Sequence, residues 1–285
     1  MPSETAPGRA PDTAPDTARV FRALLSDGLG AGRWEAVTDG ESGAGVFRAE
    51  DGSRYAKCVP AGQVAVLEAE RDRVEWLHAQ GLPGARVLDW RVTGEGARLV
   101  TSAVAGVAAD RLPAPRLREA WAPIADAVRR LHELPVRDCP FTRDLAQMFA
   151  VARDVVARGA VHPEFLPEEQ QGTPAGELLA RLEPQLGRRL AEEAARSVVC
   201  HGDLCLPNIV LDPETLDVAG FIDLGRLGRA DPYADIALLL ANSRETWTGE
   251  EQARAADETF ARRYGAVLDR ERERFYLHLD PLTWG

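Results

Sequence analysis

Lysine is almost absent from this chain of 285 residues. Of its 34 basic residues only Lys57 is a lysine, and the other 33 are arginines. Aspartate and glutamate number 45, which gives a formal net charge of −11 at pH 7. Because an acidic chain without a cluster of lysines attracts neither nucleic acid nor an anionic membrane, we expect neither as a partner. A position that keeps lysine against such a bias points to lysine chemistry, so Lys57 is a candidate functional residue.

Long apolar runs and cysteines are also scarce. No run reaches the ~18–20 apolar residues that cross a bilayer, and the N-terminus lacks the basic and apolar regions of a secretory signal. We therefore expect a cytoplasmic protein whose four cysteines stay reduced. The run Cys-His-Gly-Asp-Leu-Cys at 200–205 lacks the Cys-x-x-Cys pair and second ligand cluster of structural zinc sites, so we expect no zinc there.

Residues 1–18 differ in composition from the rest of the chain. They are rich in Pro, Ala, Thr and Asp and repeat Ala-Pro-Asp-Thr, which predicts a disordered tail. After this tail the pattern changes from strand-rich to helix-rich near residue 103. We therefore predict two lobes, over residues 19–103 and 104–285.

The first lobe shows the two-residue alternation of strands and one helical stretch. The predicted strands are Trp34–Thr38, Val46–Glu50, Tyr55–Val59, Val87–Val92 and Ala97–Ser102. The predicted helix is Val64–Gln80, which Gly81 and Pro83 end. This pattern predicts a small antiparallel sheet with one inserted helix.

The second lobe has mostly helical periodicity. Helices are predicted at Ala114–Leu134, Arg143–Arg158 and Gly176–Ala195, and again from Pro232 to the C-terminus. Short strands are predicted at Val198–Cys200, Asn208–Asp212 and Val218–Asp223. The predicted fold class is therefore α+β, with a small sheet-rich N-terminal lobe and a larger helical C-terminal lobe.

Lys57 lies in a predicted strand, and Glu70 lies in the helix that follows. Glu70 falls between Leu67 and Val74 on the apolar stripe of that helix. A carboxylate on such a stripe is costly unless it is paired, and Lys57 is the nearest candidate cation in sequence. A pair of this kind fixes an ammonium that can hold the α- and β-phosphates of a nucleotide. Periodicity leaves open the alternative that Glu70 faces solvent, as Glu68 does.

A second group of candidate residues follows the strand at 198–200. Asp203 leaves this strand, Asn208 opens the next one, and Asp223 ends the third. A hairpin centred near residue 215 would place Asn208 opposite Asp223, where their oxygens suit Mg²⁺. Asp203, five residues before Asn208, is placed to accept a proton from an attacking hydroxyl. This arrangement is typical of a kinase catalytic loop followed by a metal-binding aspartate; the alternative is that both aspartates only cap loops.

Glycine-rich segments give weaker signals. The chain has no Walker A loop, because its only lysine follows an alanine. Residues 28–32 have neither the preceding strand nor the third glycine of a dinucleotide-binding turn. Residues 40–45 lie between two predicted strands, where backbone N–H groups and the Ser42 hydroxyl could cover nucleotide phosphates. A plain hairpin loop is the alternative.

These motifs resemble the aminoglycoside phosphotransferase family, in particular its streptomycin 3''-phosphotransferases. The resemblance runs from about Trp34 to Gly285. It rests on residues 38–42, 55–57, 70–77 and 131–132, on His-Gly-Asp-Leu-Cys-Leu-Pro-Asn at 201–208, on Ile-Asp-Leu-Gly-Arg-Leu-Gly-Arg-Ala-Asp at 222–231, and on Leu-Asp-Pro-Leu-Thr-Trp-Gly at 279–285. Choline-kinase-like and homoserine-kinase-like enzymes share the His-Gly-Asp motif, whereas the two later segments are far narrower.

The resemblance implies a two-lobed, protein-kinase-like fold and an enzyme that inactivates an antibiotic. The γ-phosphate of ATP would move to the 3''-hydroxyl of streptomycin, with Mg²⁺ as cofactor. Separately, we expect a monomer. The resemblance assigns the following roles: Asp203 as catalytic base, Asn208 and Asp223 as Mg²⁺ ligands, Lys57 with Glu70 as phosphate anchor, Ser42 at a phosphate, Ser102 and Val104 at adenine, and Arg226 and Asp280 at the aminoglycoside.

Two departures and two alternatives accompany this hypothesis. The segment 101–104 lacks the acidic residue that some relatives carry, so adenine contacts there should be mainly to backbone. Glu164, Glu168 and Glu169 lie where relatives place substrate carboxylates, and no single one can be assigned. The same chemistry on another aminoglycoside or a small hydroxylated metabolite is one alternative. A non-catalytic nucleotide-binding protein is the other, and it would require a missing catalytic residue, whereas none is missing.

Overall fold

The computed structural model describes residues 14–26, 33–37 and 44–285. These residues divide into two compact units. The N-terminal unit comprises the described residues up to Arg71 together with Arg86–Ala103, and the C-terminal unit comprises Asp72–Ala85 and Val104–Gly285. Among the described residues, none of the helices is both long and apolar enough to cross a membrane.

A five-stranded antiparallel sheet forms the centre of the N-terminal unit. Its strands are β1 (Trp34–Val37), β2 (Gly45–Ala49), β3 (Arg54–Pro60), β4 (Val87–Val92) and β5 (Gly96–Ser102). They lie in the order β1-β2-β3-β5-β4. All five predicted strands are confirmed to within two residues, because alternation and turn residues mark them locally.

A helix that the sequence analysis did not predict packs on one face of this sheet. Helix α1 (Ala14–Ser26) buries Val20, Phe21 and Leu24 against Cys58 of β3. The buried Arg98 of β5 donates a hydrogen bond to the carbonyl oxygen of Leu24. Leu24 lies in the last turn of α1, where helix carbonyls lack intrahelical partners. The predicted disordered tail is therefore too long, since residues 14–18 are helical; residues 1–13 lie outside the described residues.

Helix α2 (Val64–Ala79) is the predicted inserted helix. Its apolar stripe is buried as predicted, with exposed fractions of 1% for Leu67 and 4% for Val74. Leu67 packs with Val59 of β3 in one apolar cluster, whereas Cys58, the preceding residue, packs with α1. The alternation of β3 thus directs its side chains to two helices on opposite faces of the sheet.

The C-terminal unit is mostly helical. Its helices are α3 (Ala114–His132), α4 (Leu145–Ala157), α5 (Ala175–Leu182), α6 (Leu186–Arg196), α7 (Tyr233–Ser243), α8 (Glu250–Tyr264) and α9 (Arg270–Leu279). The single helix predicted over Gly176–Ala195 is wrong, because a short 3₁₀ turn at Glu183–Gln185 separates α5 from α6. Pro184 lies in this turn, and proline has no N–H to continue an α-helical ladder.

Short strands in the C-terminal unit carry the loops of the candidate site. They are β6 (Val107–Ala108), β7 (Val198–Cys200), β8 (Ile209–Leu211), β9 (Val218–Phe221) and β10 (Gly228–Ala230). One small sheet has the order β6-β8-β9, and the other pairs β10 with β7. Strands β6 and β10 were not predicted, since two or three residues are too few for alternation to appear.

Candidate active site

Lys57 and Glu70 form an ion pair in the N-terminal unit. The Lys57 Nζ lies 2.8 Å from Oε2 and 3.1 Å from Oε1 of Glu70. Their side chains are only 18% and 12% exposed. Of the two alternatives left open by the periodicity, the structure thus selects the pair, and the carboxylate holds the ammonium at a fixed point of β3.

The loop that follows β7 is held in a conformation that requires glycine. Gly202 has a φ of +84°, in the left-handed region that side chains rarely adopt. A Cβ at this position would lie 2.1 Å from the carbonyl oxygen of Arg226. The motif His-Gly-Asp therefore brings Asp203 out of the strand only with glycine as its middle residue.

Asp235 of α7 binds the backbone of this loop. Its carboxylate accepts hydrogen bonds from the N–H groups of His201, at 2.6 Å, and Gly202, at 2.8 Å. His132 contacts the same carboxylate at 3.1 Å and Tyr264 at 2.8 Å. Burial acts to raise the pKa of Asp235, but these hydrogen bonds and the nearby imidazoles bring it below its ordinary value. Asp235 and His132 therefore support the loop as hydrogen-bonded residues behind Asp203.

Asp203 and Asn208 are connected directly within the loop. The Asn208 Nδ2 donates to the Asp203 carbonyl oxygen at 2.8 Å and to its Oδ2 at 3.2 Å. The amide nitrogen is thereby used, which leaves the amide oxygen as the Asn208 atom suited to a cation. Burial, followed by the charges of Asp280 and Asp223, raises the pKa of Asp203 above its ordinary value. A raised pKa brings a general base closer to the working pH.

Asn208 does not lie opposite Asp223, so that prediction is wrong by one residue. The N–H of Ile222 donates to the Asn208 carbonyl oxygen at 3.1 Å, which makes Ile222 the opposing residue. The register shifts between Val210 and Leu211, where an extra residue of β9 enters the hairpin. Without this bulge Asn208 would lie opposite Phe221, so the miss comes from the turn, which pairs Leu211 with Val218 and lies earlier in the chain than predicted. Asp223 follows in the left-handed conformation, with φ 59° and ψ 58°, and its charge acts on Asp203.

The last residues of the chain pack against Arg226. Its Nη1 donates to Oγ1 of Thr283 at 2.9 Å and its Nη2 to the Thr283 carbonyl at 3.2 Å. Its guanidinium carbon lies 3.3 Å from the centre of the Trp284 ring. The Trp284 Nε1 in turn donates to Oδ2 of Asp280 at 3.0 Å. Burial, followed by the charge of Arg143, lowers the pKa of Arg226 to about 10. Arg226 and Asp280 thus lie in one cluster near Asp203.

Sequence reasoning missed two members of this cluster. Arg143 contacts Oδ1 of Asp280 at 2.9 Å, and Thr283 binds Arg226 as described. Arg143 was assigned only to the start of a predicted helix, whereas the structure begins α4 two residues later. Nothing in the local sequence could reveal a contact with a residue 137 positions away.

The remaining predicted residues are distributed as follows. Ser42 lies outside the described residues. Ser102 ends β5, and its hydroxyl accepts a hydrogen bond from the Arg86 N–H at 3.0 Å. Val104 begins the long C-terminal segment of its unit. Glu164, Glu168 and Glu169 are all exposed, with Glu164 3.2 Å from His162 and Glu169 3.7 Å from His278.

The chain is similar to known proteins along most of its length. Residues 33–276 match the model of the family described as "Phosphotransferase enzyme family". The chain belongs to this family. The predicted aminoglycoside phosphotransferase resemblance and the kinase-like α+β fold are thereby confirmed, and this phosphotransferase is an enzyme of the kinase class.

Three relatives of this phosphotransferase are particularly similar. A streptomycin 3''-kinase of Streptomyces griseus is 68% identical over 254 residues, which cover 89% of this chain and 93% of the relative. An aminoglycoside 3'-phosphotransferase of Streptomyces fradiae is 42% identical over 87% of this chain and 94% of its own. The solved structure of aminoglycoside phosphotransferase APH(3'')-Id from Streptomyces rimosus, in complex with ADP and streptomycin, matches with a TM-score of 0.90 and 68% identity, over 94% of this chain and 98% of that one.

Proposed function

We propose that this protein transfers the γ-phosphate of ATP to the 3''-hydroxyl of streptomycin and so inactivates the antibiotic. The observation that carries the proposal is the match to the Streptomyces rimosus enzyme, which was solved with both ADP and streptomycin. The 68% identity to a streptomycin 3''-kinase supports the same substrate and position. Relatives named for the 3' position are less similar, at 42% identity or below.

Asp203 is the proposed catalytic base. The 3''-hydroxyl oxygen attacks the γ-phosphorus, the bond from that phosphorus to the bridging oxygen of ADP breaks, and the hydroxyl proton passes to the Asp203 carboxylate. The loop supports this role, because Asp235 fixes the two N–H groups before Asp203 and Asn208 binds Asp203 from the other side. Such a fixed carboxylate acts mainly by orienting the nucleophile, since phosphoryl transfer depends on positioning and charge neutralisation.

Asn208 and Asp223 are the proposed ligands of Mg²⁺. One amide oxygen and one carboxylate are hard oxygen donors of the kind that Mg²⁺ prefers. The fit is supported by the Asn208 amide, whose nitrogen is committed to Asp203. When bound, the ion would neutralise charge on the nucleotide phosphates.

Lys57 is the proposed anchor of the α- and β-phosphates. Its ammonium is held at 2.8 Å by Glu70, so it reaches the nucleotide without a loss of side-chain freedom on binding. Ser42 is proposed to contact a phosphate, and Ser102 and Val104 to meet adenine. Because the Ser102 hydroxyl already binds Arg86, we assign the adenine contacts to backbone groups.

The aminoglycoside is proposed to bind beside Arg226 and Asp280. Streptomycin carries guanidinium groups, and exposed carboxylates at Glu164, Glu168 and Glu169 would raise the local concentration of such a cation. We further propose that the protein acts as a cytoplasmic monomer.

An assay of ADP formation with Mg-ATP and streptomycin tests the proposal, with NMR of the product to locate the phosphate. We expect phosphate on the 3''-oxygen. The variant Asp203→Asn should lower kcat by roughly 10²–10⁴-fold, the range for loss of a general base. If the wild-type protein forms no ADP with streptomycin, or if the phosphate lies on another hydroxyl, the proposed function is wrong. If Asp203→Asn keeps full activity, Asp203 is not the base.

A further inference from the structure

Arg143 lies where three parts of the C-terminal unit meet. It belongs to the short segment before α4, and its backbone N–H donates to the Arg229 carbonyl of β10 at 3.0 Å. Thr142, the preceding residue, forms a parallel bridge with the same Arg229. The backbone of Arg143 is therefore fixed to the strand that follows the loop at 223–227.

The stem of Arg143 packs against the catalytic loop. A Cβ placed on Gly202 would lie 2.7 Å from the Arg143 Cδ. Gly202 immediately precedes Asp203, so the absence of a side chain there makes room for the arginine stem. Arg143 thus contacts the loop directly before the proposed base.

The guanidinium of Arg143 points to the end of the chain. Its Nη2 lies 2.9 Å from Oδ1 of Asp280, and the two side chains are 13% and 12% exposed. Asp280 also accepts the Trp284 indole N–H, and Trp284 supports the flat face of Arg226. The Asp280 carboxylate, which is itself proposed to border the aminoglycoside, therefore connects Arg143 to Trp284 and, through Trp284, to Arg226.

The position of Arg143 leaves one of its own hydrogen-bond donors without a partner. Its Nε is buried and has no hydrogen-bond partner among the described residues. An unsatisfied buried donor is destabilising and calls for an explanation beyond stability. The contact with Asp280 supplies one, because a nearly buried charge-assisted hydrogen bond fixes the direction of a carboxylate more firmly than an exposed one.

We propose that Arg143 is a positioning residue for aminoglycoside binding, a role that rests on the proposed function. It acts through Asp280 to hold Trp284 and Arg226 at the substrate side of Asp203. Without it, the Asp280 carboxylate loses its nearest cation, and the Trp284 ring loses the fixed acceptor of its indole N–H. The ion pair of Lys57 with Glu70 involves neither Arg143 nor Asp280, so the effect should be selective for the aminoglycoside.

The variants Arg143→Met and Arg143→Lys test this selectivity. Arg143→Met should raise the KM for streptomycin by at least about tenfold and leave the KM for ATP within about twofold of wild type. Arg143→Lys keeps the charge but not the planar fork of donors, so its KM for streptomycin should lie between those of wild type and Arg143→Met. Arg153→Met is the matched control: it removes an arginine of α4 whose ion pair with Glu183, at 3.1 Å, is exposed, and its kinetics should be those of wild type.

A double-mutant cycle with Asp280→Asn separates positioning from a general loss of stability. If Arg143 acts through Asp280, the double variant should raise the KM for streptomycin little beyond the larger single effect. An unchanged KM for streptomycin in Arg143→Met, additive effects in the cycle, or equal increases in both KM values would each overturn the inference. Should Arg143→Met fail to fold, Arg143→Lys is carried through the same cycle. These results require an active wild-type enzyme, whose inactivity with streptomycin would instead refute the proposed function.

Discussion

The only lysine of the chain offers the sharpest test of the site. Lys57→Arg keeps the positive charge and changes only its shape and reach. The Lys57 Nζ lies between both Glu70 oxygens, at 2.8 and 3.1 Å. Its neighbours across the sheet are Val46 and the 1% exposed Leu99, and Ala56 beside it is fully buried. A planar guanidinium must therefore be accommodated beside these packed neighbours.

The size of the effect follows from what the substitution removes. Charge is retained, so the penalty of several kcal/mol for an unpaired buried carboxylate does not apply. The substitution moves one charge-assisted donor away from its position at the phosphates. Loss of that hydrogen bond corresponds to about 1.4 kcal/mol of binding free energy, or a factor of about ten in the kinetic constant. We therefore expect Lys57→Arg to raise the KM for ATP, or lower kcat, by at least about tenfold, with the fold retained.

The assay varies ATP at saturating streptomycin and follows ADP formation, with thermal melting of the same samples. Arg48→Lys, an exposed position on the adjacent strand β2, controls for exchange of the two cations and should behave as wild type. If Lys57→Arg shows wild-type kinetics, no chemical requirement keeps lysine at this position. If the melting temperature of Lys57→Arg falls together with its activity, Lys57 acts through the stability of the fold and not through the phosphates.

Two further substitutions probe the C-terminal unit. Gly202→Ala should cost about 1–3 kcal/mol of backbone strain at φ +84° in addition to a clash at 2.1 Å with Arg226, so activity and melting temperature should both fall. Gly187→Ala in α6, with open space around its Cβ, should be neutral or stabilising, and the reasoning fails if the two behave alike. Burial lowers the pKa of His278 in the folded protein below its ordinary value of 6.5. As the pH falls through 6.5, the unfolded chain therefore takes up a proton before the folded chain does, and the free energy of unfolding decreases. His278→Gln should therefore reduce the loss of unfolding free energy between pH 7.5 and pH 5.5 in urea titrations; an unchanged slope contradicts it.

Local patterns account for the parts of the site that the sequence predicts. The stripe from Leu67 to Val74 places Glu70 on the inner face of α2, and the alternation of β3 places Lys57 toward it. Both patterns arise within one element each, so the pair needs only that α2 folds back on the sheet. The ion pair at 2.8 Å follows from these two conditions.

The parts that the sequence did not predict depend on distant or irregular features. Helix α1 is preceded by a Pro- and Ala-rich segment whose composition concealed the spacing of Val20, Phe21 and Leu24. Asn208 and Asp223 are not opposed because the turn lies earlier in the chain than predicted and pairs Leu211 with Val218; the bulge of β9 then adds one residue, which brings Ile222 opposite Asn208. The contact of Arg143 with Asp280 spans 137 positions and has no local signal.

The composition of the chain and the chemistry of its site can now be connected. Arg226 uses both arms of its fork on Thr283 and its flat face on Trp284, contacts that a single ammonium cannot reproduce. A bias toward arginine is therefore compatible with the substrate side of the site. Lys57 shows the opposite requirement, since its compact charge lies between two oxygens of one carboxylate. A guanidinium there would bind Glu70 in its own plane and hold its remaining donors at fixed points that differ from the position of the Lys57 Nζ, so an exception to the bias is expected at this position.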